Sequence, residues 1–188
     1  MRTNPKAAIA RSSYHILPNA HMTRSTDHSM NDTASLLNEI YLGPAWHGPS
    51  IKEALDGVSA AAATKKLADD RNSIWELVLH LAHGRHLLIE RVKNGSIAPF
   101  PRKIREPWWP IIDYDTTDAA WRKDLELLDD YHTQLIDAVG SATPAQLARI
   151  PSPGDQPMAR QLVGLAVHDG YHAGQIKQLA LHFANASP

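Results

Sequence analysis

The stretch NSIWELVLHLAHGRHLLIERVKN, residues 72–94, decides the fold because it has the pattern of one long amphipathic helix. Asn72 or Ser73 can cap its first turn, and Asn94 followed by glycine is a typical stop. At about 100° per residue one side of this helix is apolar. The apolar stripe comprises Ile74, Leu77, Leu81, Leu88 and Val92. The stretch therefore predicts a helix with one side turned to a core.

The same helix carries three histidines at different angles to its apolar stripe. His80 lies about a quarter turn from the centre of the stripe, whereas His83 and His86 point progressively toward the opposite side. We therefore predict that His83 and His86 are surface residues. His80 is the imidazole that can face the interior, and Gly84, one turn further on, leaves space beside it.

A second stretch, HDGYHAGQI at residues 168–176, places two histidines four residues apart. It belongs to a predicted last helix that begins near residues 156–158 and continues to about Phe183. On a helix, His168 and His172 stand one turn apart on the same side. The buried side of that helix comprises Leu162, Leu165, Ile176, Leu179 and Phe183, and both histidines fall within it. Two buried imidazoles each need a hydrogen-bond partner or a metal ion.

Together, His80, His168 and His172 form a candidate site for one metal ion. Three neutral imidazoles leave coordination positions open for water or substrate, as in catalytic rather than structural sites. Asp169 and Gln175 are candidates to orient the imidazoles through their second nitrogens. The alternative is a core that contains polar networks and no metal.

The chain has no cysteine, so any metal is held by nitrogen and oxygen. Imidazole ligands suit zinc, nickel, iron or copper. We predict one divalent transition metal, with zinc or nickel as the leading candidates and iron or manganese as alternatives.

A third long helix is predicted from about Thr117 to Val139, and His132 lies on its inner stripe. His132 is either a hydrogen-bonded core residue or a reserve ligand. Before this helix, four prolines in residues 95–115 favour an extended crossover. Trp108 and Trp109 in the crossover are interpreted as anchors or dimer contacts, with substrate recognition as an alternative.

Residues 1–30 lack an apolar period and are predicted to be a poorly ordered extension, followed by a single domain at residues 31–188. The first helix of that domain is expected to begin at Asp32. A proline- and glycine-rich loop then holds Trp46 and His47, which form either a hydrophobic plug with a solvated histidine or a pocket wall.

Composition excludes several classes of function. The formal charge of −1 leaves no basic field for a phosphate backbone, so nucleic acid is not expected as a partner. No apolar run reaches the length needed to cross a bilayer, and no secretory signal is evident at the N-terminus. We therefore expect no membrane partner and a cytoplasmic location.

The two long stretches, with AWHGPSIKEALDGV upstream, resemble the DinB/YfiT-like superfamily over roughly residues 31–185. The most specific part is the helix with His80 joined to HxxxHxGQI. The resemblance implies a four-helix bundle with an up-down-down-up course and a long crossover between its second and third helices. It also implies a homodimer and a divalent metal on His80, His168 and His172.

The superfamily includes transferases that use a low-molecular-weight thiol, while other members are labelled hydrolases. The leading hypothesis is therefore a metalloenzyme that activates a thiol or water for a small-molecule substrate. His47, Asp169, Tyr171 and His132 are the candidates to line its pocket. The rival hypothesis is a non-catalytic metal- or ligand-binding helical scaffold.

Overall fold

The computed structural model describes residues 26–95, 98–105, 108–112 and 115–185, with side chains from residue 32 to residue 184. These residues are mainly helical, which confirms the predicted all-α class. In chain order the elements are α1 (Thr26–Leu42), α2 (Ile51–Leu55), α3 (Ala60–Ala63), α4 (Ile74–Lys93), β1 (Ile104–Arg105), β2 (Trp109–Pro110), α5 (Asp118–Gly140), α6 (Pro144–Ala148) and α7 (Met158–Asn185). No helix in these described ranges is both long and apolar enough to cross a membrane.

Local sequence explains where the helices begin and end. Ser73 caps α4 and forms a reciprocal capping box with Glu76, while Asn94 ends the helix in the left-handed conformation at φ 53°. Thr117 caps α5 through its side chain. The first helix was predicted to begin at Asp32 and instead begins at Thr26. The remainder of the predicted extension, residues 1–25, lies outside the described residues.

The four long helices pack around one core. Helix α4 contacts α5 and α7, and α1 contacts the same two helices. The side-chain pairs that join them are Trp75–Asp124 and His86–Tyr131 between α4 and α5, His80–His168 and Arg91–Gln161 between α4 and α7, and Tyr41–Asp129 and Asn38–His132 between α1 and α5. The crossover between α4 and α5 carries the short antiparallel pair β1–β2.

The prediction that His83 and His86 lie on the surface is wrong, because both are buried. Residues from other segments cover not only the apolar stripe of α4 but also the side that carries His83 and His86. Phe100 from the crossover packs 5.0 Å from the His83 ring centroid, and Tyr131 from α5 packs 5.5 Å from that of His86. Because α4 lies between two helices and a crossover, an angle measured from one stripe does not identify its exposed side. We refer to His83 and His86 as the α4 pair.

Candidate metal centre

Three imidazoles converge between α4 and α7. His168 Nε2 lies 3.0 Å from His80 Nε2 and 3.1 Å from His172 Nε2. Within the described part of the chain, these three residues are the one group of histidine or carboxylate side chains whose ligand atoms all lie within 4.8 Å of one another. Nitrogens bound to one zinc ion at about 2.0–2.1 Å lie roughly 3.0–3.4 Å apart. The spacing of this triad therefore fits a single ion.

Each imidazole of the triad also has a hydrogen-bond acceptor on its other nitrogen. The three hydrogen bonds are His80 Nδ1 to the Trp108 carbonyl at 3.0 Å, His168 Nδ1 to Asp169 Oδ1 at 3.1 Å and His172 Nδ1 to Gln175 Oε1 at 2.6 Å. The Gln175 amide is oriented because its Nε2 donates to the Tyr171 hydroxyl at 3.0 Å. Carbonyl and carboxylate oxygens accept only, so this network assigns the proton of each neutral ring to Nδ1.

The tautomers assigned in this way leave three Nε2 lone pairs facing one another. Two acceptors at 3.0 Å cannot form a hydrogen bond, because neither carries a proton. The facing lone pairs repel one another, and a cation between them would attract all three nitrogens. The donor chemistry of the triad therefore fits a metal ion, and the outer acceptors are the partners that fix the orientation of metal-bound imidazoles.

Burial keeps two of these imidazoles neutral. Desolvation lowers the pKa of His80 from 6.5 to about 4, and it also lowers the pKa of His172. Metal ligation requires the unprotonated ring, which is the form that these two residues hold at neutral pH.

The crossover forms one wall of the triad. The Trp109 ring on β2 stacks on His80 with 4.1 Å between ring centroids, and the preceding residue supplies the carbonyl that accepts from His80. Trp109 packs against the core, whereas the Trp108 side chain is half exposed. The structure therefore supports the predicted role of Trp109 as an anchor that packs the crossover onto the helices.

A groove of about 770 Å³ lies beside the triad along α7. It reaches Leu77, one turn before His80, and Gln175, which accepts from His172. Tyr171, predicted as a pocket residue, lines the groove with 64% of its surface exposed. The groove thus reaches Gln175, the outer partner of His172.

Two predicted pocket residues lie close to the triad and two lie apart from it. Asp169 contacts His168 directly, and Tyr171 lies against His172 with 5.2 Å between ring centroids. His132 is instead a core residue: its Nε2 is 2.9 Å from Asn38 Oδ1, and its ring stacks on Tyr41. Burial lowers the pKa of His132 to about 3.

The loop residue His47 lies against the far side of α7. Its Cε1 atom is 3.7 Å from the position that a Cβ atom on Gly170 would occupy. Gly170 is two residues from His168 and two from His172, and two residues correspond to about 200° around a helix. His47 therefore lies on the side of α7 opposite the triad. The neighbouring Trp46 is 90% exposed, so it does not act as the hydrophobic plug considered from the sequence.

Sequence reasoning missed three contributors to this centre. The Trp108 carbonyl is backbone, so no residue type signals it. The stacking of Trp109 on His80 depends on how the crossover docks. Arg85, which donates to Asp169 Oδ2 at 2.7 Å, lies five residues after His80, and an arginine within an apolar helix could have been noted as a residue that needs a buried partner.

Of three comparisons with known proteins, one found a match. Comparisons with curated proteins and with solved structures gave no match. Residues 46–176, which are 131 of the 188 residues, match the family model described as the DinB superfamily. The match covers the whole triad and confirms the resemblance seen in the two histidine stretches, so the chain belongs to the DinB superfamily.

Proposed function

We propose that the chain is a metalloprotein that holds one divalent transition metal on the Nε2 atoms of His80, His168 and His172. The observation that carries this proposal is the convergence of three Nε2 atoms, each on a ring whose Nδ1 is hydrogen-bonded to a separate acceptor. Zinc or nickel is the preferred ion, and both are suited to a site of imidazoles without thiolate. Iron or manganese is the alternative.

We further propose that the centre is catalytic and acts on a thiol or water. A divalent ion there would supply Lewis-acid chemistry, which lowers the pKa of a bound thiol or water. The protein fixes the three rings through their Nδ1 partners, and burial keeps His80 and His172 neutral. Three protein ligands would leave a coordination position for the thiol or water. Thiol-dependent S-transfer is the preferred reaction class, and hydrolysis is the alternative.

The groove supports a small-molecule substrate. Its length along α7, from Tyr171 to His182, is roughly 16 Å at the rise of an α-helix. Leucines form its apolar part, and the polar residues include Arg71 and His182 at the end far from the triad. Such a groove beside the triad fits an elongated molecule, and a low-molecular-weight thiol is one molecule of this kind.

Side-chain pairs support the up-down-down-up course implied by the family resemblance. Residue numbers rise together along α4 and α5, where Trp75 pairs with Asp124 and His86 with Tyr131. They run in opposite directions along α4 and α7 and along α1 and α5. Parallel neighbours require a long crossover, as the chain has between α4 and α5. The homodimer and the cytoplasmic location remain predictions.

The first test is the metal content of the purified protein, followed by a transfer assay. Stoichiometric zinc or nickel that is lost in His80→Ala is expected. The loaded protein is then assayed for transfer of several bacterial low-molecular-weight thiols onto an electrophile, and for hydrolysis in their absence. Metal without turnover in either assay would favour the rival non-catalytic scaffold. Absence of metal from both proteins would contradict the centre itself.

A further inference from the structure

An ion pair lies buried directly behind the triad. Arg85 Nη2 is 2.7 Å from Asp169 Oδ2, and the two side chains are only 1% and 2% exposed. Removing two charges from water is costly, and apolar residues of similar size can often fill the same space with no loss of stability. The pair therefore needs an explanation beyond packing α4 against α7.

The two oxygens of Asp169 point in different directions. Oδ1 accepts from His168 Nδ1 at 3.1 Å, while Oδ2 accepts from Arg85. We infer that Arg85 is a positioning residue of the metal centre, because its guanidinium holds the Asp169 carboxylate in the orientation that fixes the His168 ring. This inference rests on the proposed function.

Arg85 is itself held from three sides. Its Nη1 donates to the Leu81 carbonyl at 3.0 Å within α4, and its guanidinium lies 4.9 Å from the centroid of the Tyr41 ring. The Tyr41 hydroxyl in turn donates to Asp129 at 2.6 Å. Helices α1, α4 and α5 therefore all contribute to the position of one guanidinium. An arginine fixed in this way can fix the carboxylate that it contacts.

His168 is the one member of the triad whose outer partner is charged. The outer partners of His80 and His172 are a backbone carbonyl and a neutral amide. A carboxylate on Nδ1 makes the opposite nitrogen of the ring a stronger ligand. Arg85 offsets the charge that this arrangement buries. The pair thus lets His168 have a buried carboxylate as its partner.

Metal affinity in four proteins tests the inference. The variants are Arg85→Met, Asp169→Asn and the double variant, each compared with wild type by chelator competition. Asp169→Asn is expected to weaken binding about 10–100-fold, the usual cost of losing an outer partner, and Arg85→Met is expected to cause a loss up to that size. In the Asp169→Asn background, Arg85→Met is expected to cause no further loss, because Arg85 acts through the carboxylate. Unchanged affinity in Arg85→Met, or additive losses in the double variant, would overturn the inference.

A matched pair on the same two helices separates positioning from helix packing. Arg91 on α4 donates to Gln161 Oε1 on α7 at 2.7 Å, away from the triad. Arg91→Met is expected to lower the melting temperature and to leave metal affinity and the visible spectrum of the cobalt-substituted protein unchanged. Arg85→Met is expected to change all three. Equal effects of both variants on affinity would assign Arg85 a packing role.

Two further measurements cover the remaining outcomes. If Arg85→Met does not fold, Arg85→Lys keeps the charge, and a metal affinity between that of wild type and that of Asp169→Asn is expected. If the wild type binds no metal, the proposed function fails and nitrogen-15 NMR of the metal-free protein decides the inference. A single Nδ1–H tautomer of His168 in the wild type and a mixture in Arg85→Lys would support it. The same tautomer in both would overturn it.

Discussion

The triad, which has one member on helix α4 and two on α7, and the α4 pair differ in where their histidine nitrogens point. In the triad, Nε2 atoms from two helices meet at 3.0 and 3.1 Å, and every Nδ1 has an acceptor. In the α4 pair, the rings are 6.1 Å apart and nearly parallel, with Phe100 packed against both. Proximity of the rings is therefore common to both groups, whereas convergence of their Nε2 atoms distinguishes the triad.

The polar atoms of His86 show the same contrast. His86 Nδ1 is buried and has no hydrogen-bond partner among the described residues, and the His86 Nε2 atom is 3.8 Å from Glu90. Such a residue acts mainly through the area that its ring buries. The comparison teaches that outer partners, more than histidine count, mark a metal site in this fold.

The largest expected effect is on metal binding when one histidine ring is removed from the triad and, in a second variant, one from the α4 pair. His172→Ala deletes a proposed ligand, so metal affinity should fall by more than the roughly 10–100-fold that loss of an outer partner costs. His83→Ala should leave stoichiometric metal while lowering stability, because it opens a cavity beside Phe100. Elemental analysis and chelator competition measure both. Loss of metal in His83→Ala, or its retention in His172→Ala, would remove the distinction.

A smaller effect is expected from the outer partner of His172. Gln175→Leu keeps the volume of the side chain and removes the acceptor of the 2.6 Å hydrogen bond, so metal affinity should fall about 10–100-fold. Gln161→Leu is the control, because Gln161 Oε1 on the same helix accepts from Arg91 away from the triad. Chelator competition should show a loss in the first variant only. An equal loss in both would mean that the orientation of His172 does not depend on Gln175.

The smallest expected effect is on the free energy of unfolding at acid pH, to which the α4 pair contributes. Burial lowers the pKa of His86, with Glu90 partly opposing this, and burial also lowers the pKa of His83. Below about pH 6.5 the unfolded chain therefore binds more protons than the folded protein, and stability is lost as the pH falls. Each histidine contributes a slope of at most about 1.4 kcal/mol per pH unit.

His86→Leu should remove one such contribution. Urea unfolding between pH 7 and 5, with a chelator present, should give a shallower fall in the free energy of unfolding for this variant than for the wild type. The metal-binding residues are the same in both proteins, so their protonation cancels in the comparison. Parallel pH profiles would show that His86 keeps an ordinary pKa in the folded protein.

The helices were predictable because their signals are local. Serine and threonine caps, the reciprocal pairs with glutamate and the glycine after Asn94 act within a few residues of a helix end. The early start of α1 at Thr26 and the short β1–β2 pair were missed. The polar residues from Thr26 onward lack an apolar period, and the strand pair depends on how the crossover docks.

The triad was predictable because two of its histidines share a helix turn and the third borders an apolar stripe. Its outer partners Asp169 and Gln175 lie one and three residues from the ligands that they contact, so spacing also identified them. The roles of Trp108, Trp109 and Arg85 arise from contacts between segments far apart in sequence. His83 and His86 were misplaced for the same reason, since Phe100 and Tyr131 cover them only after folding.

Anomalous diffraction from crystals of the metal-loaded protein tests the central claim most directly. Data collected on both sides of the absorption edge of the bound metal locate the ion and identify it. The account predicts one ion bonded to the Nε2 atoms of His80, His168 and His172, at about 2.0–2.1 Å if it is zinc. An ion bound at the α4 pair, or bound by carboxylates without the triad, would contradict the account.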